Sequence, residues 1–342
     1  MAEAGLLDLY REGLSDGEIA RRVGTDKHRV RRWRQKEGLP PNSNRRPLTG
    51  EEIAAQYTQS ISGDDWPFGL PRPIQVNVSP RDFKPPESGG MYIQVSLSDS
   101  HFPFHDPRYN AVALQIIEDL NPQLVVHHGD LLDCYKISRF EKDPKHRVSL
   151  QEEIEMGAAF LGEIAAVSPN AERWLIKGNH EDRLRKVVWD IASNHPQAAQ
   201  ILQLPNVWEQ LSWPKLLGLE SMGWQWVETK KKLFGKLILK HGTIVRKWSA
   251  GTAKGEYEKY GMSGMSGHTH RAGAFYHSDH NGPHAWFELG CGCTLDPSYC
   301  EDPDWQQALS VVTWNASRTR YSVEQVIVHD GTAIFRGRQY TA

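Results

Sequence analysis

Short apolar runs that end directly in polar motifs recur along this chain, and they constrain its fold more than any other feature. The runs occupy 91–97, 124–126, 174–176 and 233–240. Their alternating or continuous apolar pattern is typical of buried β-strands. Predicted helices at 108–120 and 149–167 lie between the first three runs. Such alternation predicts an α/β protein, in which helices cover the faces of a sheet.

The polar motifs contain the side chains that bind metal ions. They are Asp99-Ser100-His101, Gly129-Asp130-Leu131-Leu132-Asp133, Gly178-Asn179-His180-Glu181, His241-Gly242 and Gly267-His268-Thr269-His270. Loops at the carboxyl ends of strands converge at one edge of an open sheet, so we expect these motifs to meet there. A set of carboxylates, imidazoles and an amide without thiolate suits Mn²⁺, Fe or Zn²⁺. Of these we expect Mn²⁺.

Together, the five motifs resemble those of the calcineurin-like metallophosphoesterase superfamily, whose pattern is D-x-H, G-D-x-x-D, G-N-H-(E/D), H and G-H-x-H. The match covers about residues 91 to 290. The resemblance implies a four-layer α/β/β/α sandwich, in which helices flank two mixed sheets. We therefore assign 91–342 to a metallophosphoesterase domain.

The resemblance also implies a role for each motif residue. Two divalent ions are expected, and Asp130 would bridge them. The first ion would be held by Asp99, His101, Asp130 and His270, and the second by Asp130, Asn179, His241 and His268. A hydroxide shared by the two ions would attack phosphorus directly. The catalytic pair would be His180, which stabilises or protonates the leaving oxygen, and Asp133, which orients a ligand.

Departures from individual subfamilies bear on the substrate. Cys134 follows G-D-x-x-D where the protein phosphatases have arginine, and Glu181 stands where the double-strand-break exonucleases usually have aspartate. The run G-N-H-E-D-R is closer to the phage and prophage phosphoesterases. Arg183 in this run could bind a phosphate bidentately or form a helix-surface salt bridge.

We predict a phosphodiesterase or nuclease that acts on DNA. One alternative is a phosphomonoesterase or a cyclic-nucleotide or nucleotide phosphatase. The other is a non-enzymatic DNA-binding or assembly protein.

The N-terminal 1–40 segment is basic and predicts three short helices. Residues 1–46 contain 11 Lys+Arg against 7 Asp+Glu. One helix begins at Ser15 and stops at Gly24, and the next begins at Thr25 or Asp26. This layout resembles the small helix-turn-helix units of site-specific recombinases and transposase-like proteins, and it implies DNA contacts. The candidate DNA-binding residues are Lys27, Arg29, Arg31, Arg32 and Arg34.

Two alternatives stay open for this unit: a basic helix that packs on the catalytic domain, and a small bundle for protein contacts. Recombinase-like units often act in pairs, which leaves a homo-oligomer open. Residues 41–90 are rich in proline and predict a linker. The stretch at about 181–240 predicts an insert, with five of the twelve tryptophans. These tryptophans either stack on bases or belong to the core.

Composition excludes a membrane protein and a disulfide framework. No apolar run approaches the ~18 residues of a membrane span, and no secretory signal is recognised at the N-terminus, so we expect a cytoplasmic protein without a membrane partner. The four cysteines include Cys291, Cys293 and Cys300. Their spacing lacks the paired C-x2-C units of zinc sites, which favours buried or loop thiols over a zinc knuckle.

Overall fold

The structure is a computed structural model that describes residues 4–11, 14, 16–39, 90–297 and 303–342. By its internal contacts the chain divides into two compact units, Met1–Gln56 and Tyr57–Ala342. Nearly all of the predicted 41–90 linker lies outside the described residues, as do Ser15 and Cys300.

Three helices form the described part of the N-terminal unit: α1 (Ala4–Arg11), α2 (Asp16–Val23) and α3 (Lys27–Lys36). The side chain of Asp26 caps α3 by accepting a hydrogen bond from the backbone N–H of His28. A small core forms where apolar residues of α2 and α3 meet. Its buried members are Ile19, Ala20, Val30 and Trp33.

One of the candidate DNA-binding residues has a structural role instead. The Arg34 side chain is 6% exposed, and its Nε lies 2.8 Å from Asp16 Oδ1. The Arg34 guanidinium also donates to the carbonyl oxygen of Leu39 at 2.8 Å. Because its donors are engaged inside the unit, Arg34 is not available to a ligand. By contrast, Lys27, Arg29 and Arg32 are exposed, and Arg31 is half-buried.

The larger sheet of the second unit is mixed and has six strands, in the order β11-β10-β1-β2-β3-β4. Its strands are β1 (Tyr92–Leu97), β2 (Leu124–His127), β3 (Glu172–Ile176), β4 (Trp224–Val227), β10 (Ala308–Trp314) and β11 (Tyr321–Ile327). Strands β1 to β4 are parallel, and β10 and β11 extend the sheet antiparallel. The carboxyl ends of the four parallel strands therefore lie at one edge.

A five-stranded sheet with the order β5-β6-β7-β9-β8 packs against the first. Its strands are β5 (Lys230–Leu233), β6 (Leu237–Lys240), β7 (Gly264–Ser266), β8 (Ala272–Asp279) and β9 (Gly282–Leu289). The core lies between the sheets, where Val126 and Trp174 of the first join Leu239 and Phe287 of the second. A hairpin of β12 (Thr332–Phe335) and β13 (Arg338–Thr341) completes the strands of the described residues.

Helices cover the outer faces of both sheets. On the first sheet lie α4 (Pro107–Leu120) and α5 (Leu150–Val167). The Tyr109 hydroxyl of α4 donates to Ala308 O of β10 at 2.8 Å, and Trp224 Nε1 of β4 donates to Leu161 O of α5 at 3.0 Å. On the second sheet, Ala253 and Tyr257 of α10 (Gly251–Tyr260) pack on Trp286. The predicted four-layer α/β/β/α sandwich is thus confirmed.

The insert is helical at its start. It contains α6 (Asp182–Asn194), α7 (Pro196–Leu202), α8 (Pro205–Gln210) and α9 (Trp213–Leu216), followed by β4 and β5. Short 3₁₀ turns span Tyr135–Ile137 and Leu219–Met222. Among the described residues, no helix is both long enough and apolar enough to cross a bilayer.

The prediction of a single strand over 233–240 is wrong. This segment contains the end of β5, a tight turn and β6. The turn joins β5 to β6 at Phe234 and Gly235, whose φ angles are 46° and 70°. The Lys236 N–H donates to Leu233 O at 2.9 Å across the turn. Only β6 therefore leads into His241, as the prediction for that motif requires.

Candidate metal centre

The structure brings all five motifs together at the carboxyl ends of the strands. Asp99 follows β1, Asp130 follows β2, and Asn179 follows β3. His241 follows β6 and His268 follows β7 in the second sheet. The site therefore lies at the carboxyl ends of strands from both sheets. The first sheet supplies Asp99, Asp130 and Asn179, and the second supplies His241 and His268.

Asp130 stands at the centre of the predicted ligands. Its Oδ2 lies 3.2 Å from His241 Nε2, 3.7 Å from His101 Nε2 and 3.8 Å from His180 Nε2. Its Oδ1 accepts a hydrogen bond from the backbone N–H of His180 at 2.8 Å. Burial alone would raise the pKa of Asp130, but the neighbouring histidines, His241 first, hold that pKa below its ordinary value. An ionised carboxylate oxygen thus faces ligands on two sides.

On one side of Asp130 lie Asp99, His101 and His270. His101 Nε2 is 3.0 Å from His270 Nε2, and His270 Nε2 is 3.4 Å from Asp99 Oδ1. One ligand atom from each of Asp99, His101 and His270 lies within 4.8 Å of the others, so these side chains could hold one divalent ion.

On the other side lie Asn179, His241 and His268. His241 Nε2 is 3.0 Å from Asn179 Oδ1. One ligand atom from each of Asp130, His241 and His268 fits within 4.8 Å of the others. Both predicted ligand sets are therefore assembled around the same carboxylate.

The outer nitrogens of three histidines have hydrogen-bond partners of their own. His101 Nδ1 faces Asp133 Oδ2 at 3.2 Å, His241 Nδ1 faces His128 O at 2.9 Å, and His270 Nδ1 faces Cys293 Sγ at 3.7 Å. An Nδ1 that faces an oxygen acceptor carries a proton, so Nε2 is the atom of His101 and of His241 that a metal would bind. The residues present therefore fit divalent ions.

The backbone of the site is strained in the way that functional sites often are. Five of the seven predicted ligands have a positive φ, although none of them is glycine. They are Asp99 (54°), His101 (51°), Asp130 (49°), His268 (74°) and His270 (58°). Each such residue costs on the order of 1 kcal/mol and persists only where its surroundings hold it. The loops are thus shaped around the convergence of these side chains.

Glu181 links two of the motifs and was not predicted to have a structural role. Its carboxylate accepts hydrogen bonds from the backbone N–H groups of Asp130 (3.0 Å), Leu132 (3.2 Å) and Gly178 (2.8 Å). Gly178 is required here because a Cβ would collide with the Asp130 side chain. Glu181 therefore holds the second and third motifs in register. Its place beside Asn179 and His180 in the sequence was the available signal.

His180 and Arg183 form a hydrogen-bonded unit beside the ligands. His180 Nδ1 donates to Asp133 O at 2.8 Å, and its Nε2 accepts from Arg183 Nη2 at 2.9 Å. Arg183 Nη1 also donates to Asp133 O at 2.6 Å. Arg183 Nη1 also forms an ion pair with the buried carboxylate of Asp133 at 3.5 Å, so Arg183 is held beside the site, and its contact with phosphate stays a prediction.

The site opens to solvent on one side. Asn179 is exposed, and His180 and His268 are half-buried. Asp99, Asp130 and His241 are buried. A substrate therefore reaches the ligands from the side of Asn179, His180 and His268.

The tryptophans of the insert divide between core and surface. Trp213 and Trp224 are buried, and Trp213 Nε1 donates to Glu181 O at 2.6 Å. Trp189 and Trp208 are exposed, and Trp226 is half-buried. The core interpretation thus holds for Trp213 and Trp224.

The fold and this site define a metal-dependent phosphoesterase. The family profile described as calcineurin-like phosphoesterase matches residues 95–272, which is more than half of the chain. The chain belongs to the calcineurin-like phosphoesterase family.

Phage proteins are among its relatives. It is 27% identical over 199 residues to the Gene 54 protein of Mycobacterium phage D29, with 56% of this chain and 71% of that protein covered. To the Gene 54 protein of Mycobacterium phage L5 it is 27% identical over 191 residues, with 54% and 71% covered. The predicted likeness to phage proteins is confirmed.

Two solved structures are also similar. Vacuolar Protein Sorting 29 from Cryptosporidium parvum matches with 12% identity and a TM-score of 0.39, over 74% of this chain and 99% of that chain. The Pseudomonas putida nuclease MPE matches with 14% identity and a TM-score of 0.29, over 73% and 87%.

Proposed function

We propose that this chain hydrolyses phosphodiesters in DNA with two divalent ions. The observation that carries the proposal is the position of Asp130 Oδ2, which lies between one ligand set around His101 and another around His241. A carboxylate oxygen in this position can serve two ions. When bound, the ions would supply an activated water and neutralise charge on the phosphoryl oxygens.

The first ion would be held by Asp99, His101, Asp130 and His270, and the second by Asp130, Asn179, His241 and His268. Asp133 keeps the proton of His101 on Nδ1, and the backbone of His128 does the same for His241. Each imidazole therefore keeps its Nδ1 proton when an ion binds. Burial alone would lower the pKa of His101 and of His241, but the neighbouring carboxylates raise both pKa values above the ordinary one, so Nε2 gives up a proton when an ion binds.

His180 is the proposed general acid. To protonate the leaving oxygen it must carry a proton on Nε2, the atom that now accepts from Arg183. Protonation of Nε2 would release Arg183 Nη2, which could then bind a phosphoryl oxygen. The carbonyl of Asp133 anchors the opposite side of the imidazole ring throughout.

The open side of the site supports a polymer rather than a small phosphomonoester. Asn179 is exposed, so a strand can cross the ligands without being enclosed. A monoesterase stays the alternative, and turnover of monoesters with no cleavage of any nucleic acid would establish it.

The test combines metal stoichiometry with leaving-group dependence. Metal-free protein should bind two equivalents of Mn²⁺ and then hydrolyse both DNA and bis(p-nitrophenyl) phosphate. His180→Ala should lower kcat for DNA by about 10²- to 10⁴-fold while metal stoichiometry stays at two. The loss for bis(p-nitrophenyl) phosphate should be smaller, because its leaving group needs little protonation. Full hydrolytic activity of a protein that binds only one equivalent of Mn²⁺ would refute the dinuclear mechanism.

We further propose that the N-terminal unit binds DNA through the exposed cations of α3. Lys27, Arg29 and Arg32 carry the charge that a phosphate backbone attracts. Each of their alanine variants should weaken duplex binding and lower the slope of log K against log salt by about 1. Lys236→Ala, an exposed cation of the catalytic unit, is the control. Equal binding by wild type and the triple variant would refute this role.

A further inference from the structure

An exposed tryptophan stands on the loop that directly follows His241. Trp248 is 68% exposed, and Val245 on the same loop is 60% exposed. Lys247 Nζ lies 4.7 Å from the centroid of the Trp248 ring. Residues 242–250 contain two cations, Arg246 and Lys247, and no carboxylate, so the loop is positively charged. An aromatic ring among cations matches the surface chemistry of proteins that bind single-stranded nucleic acids.

This loop is fixed beside the metal centre at both ends. It begins at His241, and Ser249 Oγ donates to Ala272 O at 2.6 Å. Arg271, which follows the ligand His270, donates through Nη1 to Arg246 O at 2.7 Å. A Cβ on Gly273 would collide with Ser249, so the two segments pack without space between them.

These contacts limit how far Trp248 can lie from the ligands. Ser249 contacts Ala272, which is two residues from His270, and each residue spans at most about 3.6 Å. The Trp248 backbone is therefore on the order of 15 Å or less from that of His270. A strand of a few nucleotides covers this distance.

A second exposed aromatic lies on the His180 side of the site. Phe140 is 64% exposed. The Arg183 guanidinium, which binds His180, lies 5.9 Å from the Phe140 ring centroid, and that of Arg139 lies 5.6 Å from it. Phe140, like Trp248, is thus an exposed aromatic ring with cations beside it.

We infer that Trp248 and Phe140 are stacking platforms for the unpaired bases of a single nucleic-acid strand that crosses the metal centre. The inference rests on the proposed function and names its substrate class. Each base offers a π-face to an aromatic ring, whereas the bases of a duplex already stack on one another. The cations beside both rings favour a polyanion. A phosphomonoester without a base offers no π-face to either ring.

The test compares a single-stranded oligonucleotide with bis(p-nitrophenyl) phosphate, which has no bases. For Trp248→Ala and for Phe140→Ala, the ratio of kcat/KM for the oligonucleotide to kcat/KM for the model diester should fall about 10-fold, mainly through KM. Trp248→Phe should keep most of the wild-type ratio because it retains a π-face. The control is Tyr276→Ala, since Tyr276 is 69% exposed on an edge strand. Its ratio should equal that of wild type.

Three results would overturn the inference. The first is a ratio within twofold of wild type in both Trp248→Ala and Phe140→Ala. The second is an equal loss on the two substrates, which indicates a merely structural role. The third is a wild type that cleaves duplex DNA better than the single strand. A wild type that hydrolyses the model diester but cleaves no nucleic acid would instead refute the DNA substrate of the proposed function, and the inference with it.

Discussion

Asp133→Asn tests whether the carboxylate behind His101 tunes the metal centre. Asp133 Oδ2 lies 3.2 Å from His101 Nδ1, and the two side chains are 7% and 3% exposed. Burial alone would raise the pKa of Asp133, but hydrogen bonds with His101 and His180 hold that pKa below its ordinary range. The carboxylate is therefore ionised near neutral pH and increases the basicity of the His101 imidazole.

Asparagine preserves the shape and an acceptor oxygen but removes the charge. Loss of such a partner typically weakens metal binding about 10- to 100-fold, which corresponds to ~1.4 to 2.7 kcal/mol. Asp133 Oδ2 is also 3.5 Å from His180 Nδ1, so a smaller loss in kcat should remain at saturating metal. We therefore expect the metal-binding midpoint to change more than kcat.

The assay is a calorimetric titration of metal-free protein with Mn²⁺, repeated with hydrolysis of bis(p-nitrophenyl) phosphate as the readout. Asp182→Asn is a matched control, because Asp182 pairs with Arg185 and Lys186 rather than with a ligand. Metal-free Asp182→Asn should unfold near the wild-type midpoint, whereas metal-free Asp133→Asn should unfold at a lower one, because His101 and His180 stabilise the buried carboxylate. An Mn²⁺ midpoint for Asp133→Asn that equals the wild-type value, or that of Asp182→Asn, would refute the reasoning.

Two further predictions concern stability. Burial, and then the charge of Asp133, raise the pKa of Glu153 to about 8, against an ordinary value of 4.5. The folded chain therefore keeps a proton that the unfolded chain has lost, and stability should fall by up to about 1.4 kcal/mol per pH unit as pH rises between these two values. In Glu153→Gln the free energy of unfolding, measured with urea from pH 5 to 9, should depend less on pH than in wild type. The same pH dependence in both proteins would contradict the prediction. Trp213→Ala should cost about 3 to 5 kcal/mol in urea unfolding, whereas Trp213→Phe, which loses mainly the bond to Glu181 O, should cost ~1 kcal/mol. Equal losses in the two variants would contradict the packing role.

The sheets and the ligand set could be predicted because one physical pattern encodes both. A buried strand needs an apolar run, and ligands at a sheet edge need polar residues directly after it. Asp99 after β1 and Asp130 after β2 follow this pattern. The pattern fails at Phe234, which occupies a tight turn that sequence rules assign to Asn or Gly. The Phe234 ring packs on Tyr92 at 5.1 Å and Trp314 at 5.0 Å, and this tertiary packing outweighs the local preference.

Arg34 shows a second limit of prediction from sequence. It lies in α3 among cations of the same type, and nothing local distinguishes it from Arg32. Its burial depends on Asp16, which is 18 residues away on α2. A charge that pairs across two helices can be recognised only after their packing is known.

The roles that the motifs did not predict rest on contacts between distant loops. Cys293 faces His270 across 23 residues, and Glu181 reaches the backbone of Asp130 across 51. Trp248 follows His241 by seven positions, yet the loop that carries it is held by the segment after His270. A motif identifies a ligand by residue type and its place after a strand, but it says nothing about which loop packs behind the ligand. In the second sheet β7 and β9 lie between β6 and β8, so the contact between the loop after β6 and the start of β8 is made by side chains and backbone of the loops themselves. The phosphoesterase family of this chain could therefore be predicted from five short motifs, whereas the contacts of the loops behind the ligands could not.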